Sequence, residues 1–287
     1  MREVKTYSNL IGGKWLQSSS GKTFSSVNPA DTTDVLGYFQ QTTLEETRQA
    51  IEATRAAQPS WAQTSPARRA EILDRTARLI DERVTYLAEI LTREEGKTLA
   101  ESTAEVKRAA ANFRFYAGQA YLVAGETLPS DEPSTFLYTL KAPVGLVSVI
   151  TPWNFPLAIP ARKIAPALAA GNSVIFKPAS LTPLIGLKLA EILIEAGLPG
   201  DVMISALKNL GSMTGVAVTS LVSTVTQLTV LAQLATSGTT RELAERQSFA
   251  SAVNVTFLLS AGVCLLVVFM SLVRGRSTNG TTKAAQA

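Results

Sequence analysis

The distribution of charge along the chain restricts its fold more than any other feature of the sequence. The first two thirds mix charged residues, prolines and apolar runs, which is typical of globular domains. Residues 209–240 and 248–273 carry no Asp, Glu, Lys or Arg, and the short stretch between them carries charges of both signs. We therefore predict a globular domain over residues 1–202 and an apolar, membrane-type tail over residues 203–287.

The two uncharged stretches of the tail predict helices that cross a membrane. Residues 248–273 would span roughly 39 Å as a helix, and about 20 residues suffice to cross the hydrocarbon core. Residues 209–238 are long enough but rich in Ser and Thr, so a buried globular helix is the alternative for them. Basic residues flank the pair of stretches at Lys208, Arg274 and Arg276. The positive-inside rule then predicts a membrane location with the N-terminal domain on the cytoplasmic side, and a cytoplasmic chain is the alternative.

Composition argues against several classes of function. The net charge is +4 and the sequence contains no long run of like charges, so nucleic-acid binding is not indicated. The chain has no histidine, which excludes a Ser-His-Asp or Cys-His mechanism carried by this chain alone. Its single cysteine can form neither an internal disulfide nor a thiolate metal site, so we predict no metal centre.

The globular part begins with a helical region that has clear start and stop signals. Thr43 opens a capping box and predicts the start of a first helix. Ser65 as the N-cap, followed by Pro66, predicts the start of a second helix whose apolar stripe continues to Gly96. A third helix is predicted over residues 99–117.

From about residue 135 the pattern alternates between short apolar strands and amphipathic helices. Strands are predicted over residues 135–141, 144–150 and 173–176, and helices over residues 156–170 and 183–196. Strands and helices joined by short links are typical of a doubly wound parallel sheet. The predicted fold class is therefore α/β with such a sheet, followed by the two transmembrane helices.

Polar residues follow two of the predicted strands, at the edge where open α/β sheets bind ligands. The stretch TPWNFP follows Ile150, and the stretch KPAS begins at Lys177. Neither stretch contains the G-x-G-x-x-G pattern of common dinucleotide-binding loops. The residues alone predict a polar strand-end site, and they leave open that Asn154 is a turn residue and Lys177 a solvated lysine.

The stretch PVGLVSVITPWNFPLAIPARKIAPALAAGNSVIFKPAS closely resembles the coenzyme-binding signature of the aldehyde dehydrogenase superfamily. The segments NLIGGKWL, SVNPADTTDVLGYF, EEGKTLAES and EILIEAGLPGDV resemble further family segments and occur in the family's order. The resemblance covers roughly residues 5–202, and its N-terminal part is most similar to the α-ketoglutaric and succinate semialdehyde dehydrogenases. It implies an aldehyde substrate, NAD or NADP as the coenzyme, and the homo-oligomeric assembly that is usual in the family.

The resemblance also implies roles for individual residues. In the family a cysteine thiolate attacks the aldehyde, a side-chain amide helps to hold the resulting oxyanion, and a glutamate activates the hydrolytic water. Asn154 matches the oxyanion asparagine, and Lys177 matches the lysine that bonds the adenosine ribose. Members that prefer NAD often carry glutamate at the position of Ser180, so the serine implies that NADP is tolerated. The loop past the nicotinamide is matched by four residues, Ile150, Thr151, Pro152 and Trp153.

The chain also departs from the family pattern. Its Leu-Glu-Leu-Gly-Gly-Lys and Gly-Gln-x-Cys segments are missing from this sequence, and Cys264 lies in an apolar run that would raise a thiol pKa. We therefore predict a truncated family member without catalytic activity. The tail resembles the last two spans of a major-facilitator efflux transporter, so a membrane-anchored or transporter-derived fusion protein without an enzymatic role is the alternative. A coenzyme-binding module that has lost catalysis is a third interpretation.

Overall fold

The computed structural model describes residues 4–205, together with residues 226, 229, 230, 247, 248, 250, 251 and 255. The chain divides into two units, Met1–Lys208 and Asn209–Ala287. The predicted spans 209–238 and 248–273 lie almost entirely outside the described residues. Within the described part of the chain, no helix is long and apolar enough to cross a membrane.

Five short strands form the N-terminal region, where the sequence predicted none. The strand β5 lies between β1, with which it is parallel, and β4, with which it forms an antiparallel hairpin. The strands β2 and β3 form a second hairpin through Gly12 and Gly13, whose φ values of 56° and 75° fit a tight turn that favours glycine. The bounds are β1 Thr6–Tyr7, β2 Asn9–Ile11, β3 Lys14–Leu16, β4 Thr23–Asn28 and β5 Asp31–Gln40.

Four helices follow, and the two start signals read from the sequence are confirmed. The Thr43 hydroxyl accepts a hydrogen bond from the Glu46 backbone N–H (3.1 Å), and the Glu46 carboxylate accepts one from the Thr43 N–H (2.8 Å). The Ser65 hydroxyl accepts from the Arg68 N–H (3.2 Å) at the start of the second helix. The helices are α1 Leu44–Gln63, α2 Pro66–Glu82, α3 Val84–Glu95 and α4 Leu99–Gln119.

The single helix predicted from Pro66 to Gly96 is wrong, because the chain leaves helical geometry at Arg83. The residue has φ −110° and ψ 19°, and its N–H bonds to the carbonyl of Ile80 as in a tight turn. Leu79 and Leu87 are both buried on either side of the break, so the apolar stripe continues through it. This continuity is why hydrophobic periodicity does not reveal the break. The break at Arg83 thus separates α2 from α3, and α3 ends at Gly96, whose φ is 88°.

The C-terminal half of the described domain contains the strands and helices that position the site. A 3₁₀ turn at Ala120–Leu122 leads to the two-stranded hairpin β6 Thr127–Leu128 and β7 Leu137–Tyr138, so the strand predicted over 135–141 is much shorter than expected. The remaining predicted elements are confirmed close to their expected bounds. They are β8 Leu146–Ile150, α5 Ala158–Ala169, β9 Ser173–Lys177 and α6 Pro183–Glu195, and the short strand β10 Met203–Ser205 follows them.

The main sheet has five strands in the order β3-β2-β10-β9-β8. The strands β8 and β9 are parallel, as predicted, and the unpredicted strand β10 continues the parallel pairing, whereas β2 pairs antiparallel with β10 through Leu10 and Ser205. The sheet is therefore mixed rather than wholly parallel, because the N-terminal hairpin adds to the edge of β10 without a crossover helix.

Helices cover both faces of this sheet, as the doubly wound prediction requires. Side chains alternate between the faces of a strand, so Ser173 and Phe176 of β9 point in opposite directions. The Ser173 hydroxyl donates to the carbonyl of Thr54 in α1 (3.1 Å). The Phe176 ring lies beneath Gly186 of α6, where an added Cβ would be 3.4 Å from it. The core between these layers is fully buried and includes Phe39, Phe113 and Phe176.

Candidate functional site

The two predicted site stretches meet at the carboxyl edge of the parallel strands. Ile150, the last residue of β8, is the register partner of Lys177, the last residue of β9. The Thr151 backbone N–H donates to the Lys177 carbonyl at 3.3 Å, which extends the pairing one residue past the strands. The structure thus brings together residues that lie some distance apart in the sequence.

The loop between β8 and α5, residues 151–157, presents its middle to solvent. Here it is called the strand-end loop. Ile150 at its base is 70% exposed, Trp153 is 53% exposed, and Asn154 is also exposed. Thr151 is buried, and its hydroxyl has no hydrogen-bond partner among the described residues. The edge therefore presents two large apolar side chains, Ile150 and Trp153, together with the polar side chain of Asn154.

The second stretch places a partly buried cation beside that loop. The Lys177 ammonium is half-buried and donates to the carbonyl of Pro178 at 3.3 Å. Burial lowers the pKa of Lys177 below its ordinary value. Ser180 is partly exposed and lies between Lys177 and the start of α6. An ammonium and a hydroxyl at such an edge are suited to hydrogen bonds with the hydroxyl groups of a sugar.

The helix α6 packs very closely on the stretch that carries Lys177. A Cβ added at Gly186 would lie 2.6 Å from the Cβ of Pro178, which is far too close for real atoms. Because glycine has no side chain, α6 can lie directly against the Pro178 ring at this position. This contact holds the backbone that follows β9 in place.

A buried carboxylate from α3 caps the start of α6. The Glu94 Oε1 atom accepts from the Leu184 N–H at 2.6 Å, and Oε2 accepts from the Ile185 N–H at 2.9 Å. Thr182, which precedes α6, makes no side-chain cap. Burial raises the pKa of Glu94 to about 8, although the hydrogen bonds from Ile185, Leu184 and Ser26 act in the opposite direction.

A second buried glutamate, Glu105 of α4, caps α5 in the same manner. Its Oε1 atom accepts from the Leu157 N–H at 2.9 Å and from the Ala158 N–H at 3.0 Å. Its Oε2 atom lies 2.5 Å from the Lys97 ammonium. That ammonium also donates to the backbone carbonyl of Asn154 at 3.2 Å, so the pair connects α4 to the strand-end loop.

Sequence reasoning assigned no role to Glu94, Lys97 or Glu105 beyond their place in the family segment EEGKTLAES and the helix that contains its end. The backbone groups that they hold, at Leu184, Asn154 and Leu157, lie far along the chain, so these contacts cannot be read from the local sequence. The signal that could have found Glu105 is a carboxylate on the face of α4 that also carries buried Val106 and Ala109. A charge on an apolar helix face needs a partner, and this indicates a specific polar contact.

The residues predicted to bind coenzyme therefore lie together, whereas the chain's one thiol, Cys264, lies outside the described residues. Within residues 4–205, no group of three His, Cys, Asp or Glu side chains is arranged to hold a metal ion. The structure is that of a doubly wound α/β protein in which the two predicted site stretches meet at the carboxyl ends of β8 and β9.

Comparison with known proteins gives the family. A sequence model described as the aldehyde dehydrogenase family matches residues 15–255. The chain belongs to the aldehyde dehydrogenase family. The match continues beyond residue 202, where the resemblance was expected to stop, and includes the first uncharged stretch of the tail. The prediction that residues 209–238 are a transporter-like membrane span therefore has no support from these comparisons.

Curated relatives include semialdehyde dehydrogenases. The chain is 40% identical over 213 residues to the alpha-ketoglutaric semialdehyde dehydrogenase of Bacillus subtilis, covering 74% of this chain and 43% of that protein. It is 42% identical over 200 residues to the 2,5-dioxopentanoate dehydrogenase of Saccharolobus solfataricus, covering 70% of this chain and 41% of that protein. The chain thus spans less than half the length of the curated relatives that it matches.

Solved structures agree with the fold. An NADP-dependent enzyme of Escherichia coli superposes with a TM-score of 0.70 at 38% identity, over 72% of this chain and 43% of that one. A betaine aldehyde dehydrogenase variant of Staphylococcus aureus in complex with NAD⁺ superposes with a TM-score of 0.69 at 35% identity, over 71% of this chain and 41% of that one.

Proposed function

We propose that the described domain binds NAD or NADP at the carboxyl edge of β8 and β9, as the coenzyme-binding part of an aldehyde dehydrogenase. The observation that carries this proposal is the direct pairing of Ile150 with Lys177. It places the exposed loop residues and the ammonium on one side of the sheet. The proposal is supported by the Staphylococcus aureus relative, whose structure was solved in complex with NAD⁺.

The proposed roles follow the position of each residue at this edge. Lys177 and Ser180 bind the adenosine ribose, because a half-buried ammonium and a hydroxyl can both donate to ribose oxygens. The exposed apolar side chains of Ile150 and Trp153, with Thr151 and Pro152 between them, form the wall past which the nicotinamide lies. The bound coenzyme would accept a hydride from the substrate. Asn154 supplies a side-chain amide that can donate to a developing oxyanion.

The proposed substrate class is an aldehyde, and more narrowly a semialdehyde, by similarity to the relatives whose names state such substrates. We further propose that this chain does not oxidise aldehydes by itself. The family's Gly-Gln-x-Cys and Leu-Glu-Leu-Gly-Gly-Lys segments do not occur in its sequence, and its one thiol lies in an apolar run. A thiol in such surroundings stays protonated and is a weak nucleophile.

Titration of the purified chain with NADP and NAD tests coenzyme binding. Lys177→Met removes the ammonium but keeps the length of the side chain, so we expect the dissociation constant to rise about tenfold. Lys163→Met is the matched control, since Lys163 is an exposed lysine on α5. Equal affinity of the wild type and Lys177→Met, or no binding of either coenzyme to the wild type, would contradict the proposal.

A separate proposal concerns residues 248–273, which we propose to insert in a membrane because the stretch is uncharged, strongly apolar and followed by Arg274 and Arg276. A reporter at the C-terminus and fractionation of cells test this, with a chain that ends at residue 247 as the control. The full chain is expected in the membrane fraction and the shorter chain outside it. Recovery of the full chain as a monodisperse species without detergent would overturn the proposal.

A further inference from the structure

We propose that Lys97 and Glu105 act as a pair of positioning residues that hold the strand-end loop, and with it Asn154, in one conformation. That this conformation matters for activity rests on the proposed function. The contacts that support the inference do not depend on a bound coenzyme. Neither residue belongs to the loop itself. Lys97 lies just before α4, and Glu105 lies within α4.

Three oxygens lie around the Lys97 ammonium, which donates hydrogen bonds to two of them and forms an ion pair with the third, from Glu95. They are Glu105 Oε2 at 2.5 Å, Glu95 Oε2 at 2.8 Å and the Asn154 carbonyl at 3.2 Å. The side chain of Lys97 is only 11% exposed, and its ammonium lies 4.5 Å from the centre of the Phe155 ring. Burial alone would lower the pKa of Lys97, but the bonds to Glu105 and Glu95 raise it above its ordinary value.

The Glu105 carboxylate fixes the other end of the same loop. The carboxylate is 1% exposed, and its Oε1 atom takes the N–H groups of Leu157 and Ala158, where α5 begins. The first N–H groups of a helix have no partner within the helix, so a buried helix start needs such an acceptor. The Oε2 atom of the same carboxylate accepts a hydrogen bond from Lys97, which in turn donates to the Asn154 carbonyl. Glu105 therefore links the start of α5 to the backbone of Asn154 through Lys97.

These anchors leave the middle of the loop exposed but its backbone fixed. The Thr151 N–H is held by the Lys177 carbonyl, the Asn154 carbonyl by Lys97, and the Leu157 N–H by Glu105. Because the Asn154 carbonyl is already bonded to Lys97, the backbone position from which the side-chain amide extends is set before a ligand arrives. Pre-set donors are what an oxyanion site requires, because they need no rearrangement when charge develops.

Three variants test the pair in the full chain: Lys97→Met, Glu105→Gln and the double variant. Exposed residues supply matched controls, Lys107→Met on α4 and Glu89→Gln on α3. Amide hydrogen exchange measured by mass spectrometry reports the 151–158 segment separately from β9, and NADP titration reports coenzyme affinity. Urea unfolding of each variant reports the stability of the whole domain.

We expect exchange in the 151–158 segment to quicken at least about tenfold in both single variants, with β9 and the two controls unchanged. The double variant should exchange no faster than the faster single variant, because the residues act through one network. Unchanged exchange in this segment, or faster exchange to the same extent throughout the domain, would overturn the proposal. If the wild type does not bind NADP but the variants still show the local change in exchange, the proposed function is wrong and the positioning role of the pair stands.

Discussion

Glu94 of α3 binds the first free amide groups of α6, with its Oε1 atom 2.6 Å from the Leu184 nitrogen. Glu105 does the same for α5 through Leu157. The starts of the two crossover helices at the carboxyl edge of β8 and β9 are therefore occupied by the protein's own carboxyl groups. Helix starts of this kind bind phosphate groups in many nucleotide-binding folds. If a coenzyme binds at this edge as proposed, its pyrophosphate would therefore need donors other than these two helix starts.

Removal of the Glu94 carboxylate should destabilise the domain. Glu94→Ala leaves the N–H groups of Leu184 and Ile185 buried without an acceptor, and we expect the free energy of unfolding to fall by about 3 kcal/mol. Urea unfolding monitored by circular dichroism measures the change. Glu89→Ala on the exposed side of the same helix should alter stability by no more than about 0.5 kcal/mol. Similar losses in the two variants would show that the cap contributes little.

The raised pKa of Glu94 predicts a specific pH dependence. Burial brings the pKa to about 8 from an ordinary 4.5, so between these values the folded state binds a proton that the unfolded state releases. The contribution of this group to stability is therefore complete below about pH 4.5 and is lost as pH rises to about 8. We expect the stability difference between the wild type and Glu94→Gln to shrink by on the order of 3 kcal/mol over that range. A difference that is constant or grows with pH would mean that the amide groups keep Glu94 ionised.

Ser180 should control the choice between the two coenzymes. In Ser180→Glu a carboxylate would repel the 2′-phosphate of NADP and accept hydrogen bonds from the ribose hydroxyls of NAD. We expect the ratio of NADP to NAD affinity to fall at least about tenfold, as measured by calorimetric titration. Ser180→Gln, which is similar in size but neutral, is the control. An unchanged ratio in the glutamate variant would place the adenosine ribose away from Ser180.

The short strand β10 should contribute strongly to stability, although it lies at the predicted boundary of the domain. Met203 and Ile204 are fully buried, and the strand connects β9 to β2. Ile204→Ala should lower the free energy of unfolding by about 2–5 kcal/mol, because it removes buried methyl groups and leaves a cavity. The exposed Val144 offers a comparison, since Val144→Ala removes methyl groups that already contact water. A small effect at Ile204 would mean that β10 is dispensable.

The chain is expected not to oxidise semialdehydes with either coenzyme. The prediction follows from the missing nucleophile segment, since loss of a catalytic nucleophile removes several orders of magnitude in rate. Coenzyme reduction followed by absorbance measures the activity, and a complete aldehyde dehydrogenase serves as the positive control. A substantial rate that survives Cys264→Ala would show that the chemistry has been assigned to the wrong residues.

Local signals explain which parts of the fold the sequence predicts well. The capping interactions at Thr43 and Ser65 involve residues three positions apart, so they can be read directly from the sequence and the structure confirms them. The strand-end stretches after Ile150 and before Ser180 were also placed correctly at one edge, because parallel strands align their carboxyl ends.

Other features depend on contacts between distant residues and were not predictable. The break at Arg83 carries neither proline nor glycine, and the guanidinium bonds to Glu195 at 2.5 Å, more than a hundred positions away. The roles of Glu94 and Glu105 likewise depend on partners in α6 and α5. The N-terminal hairpin was missed because β2 and β3 have only three residues each and because β2 pairs with β10 at the far end of the domain.

The pairing of Leu10 with Ser205 has a consequence for how the protein forms during synthesis. At a translation rate of about 5–20 residues per second, the N-terminal hairpin leaves the ribosome roughly 10–40 s before the strand that it joins. Through this interval the hairpin has no sheet to bind, and isolated hairpins are at best marginally stable in water. The apolar side chains of the hairpin therefore remain available to chaperones until β10 emerges and the sheet can close.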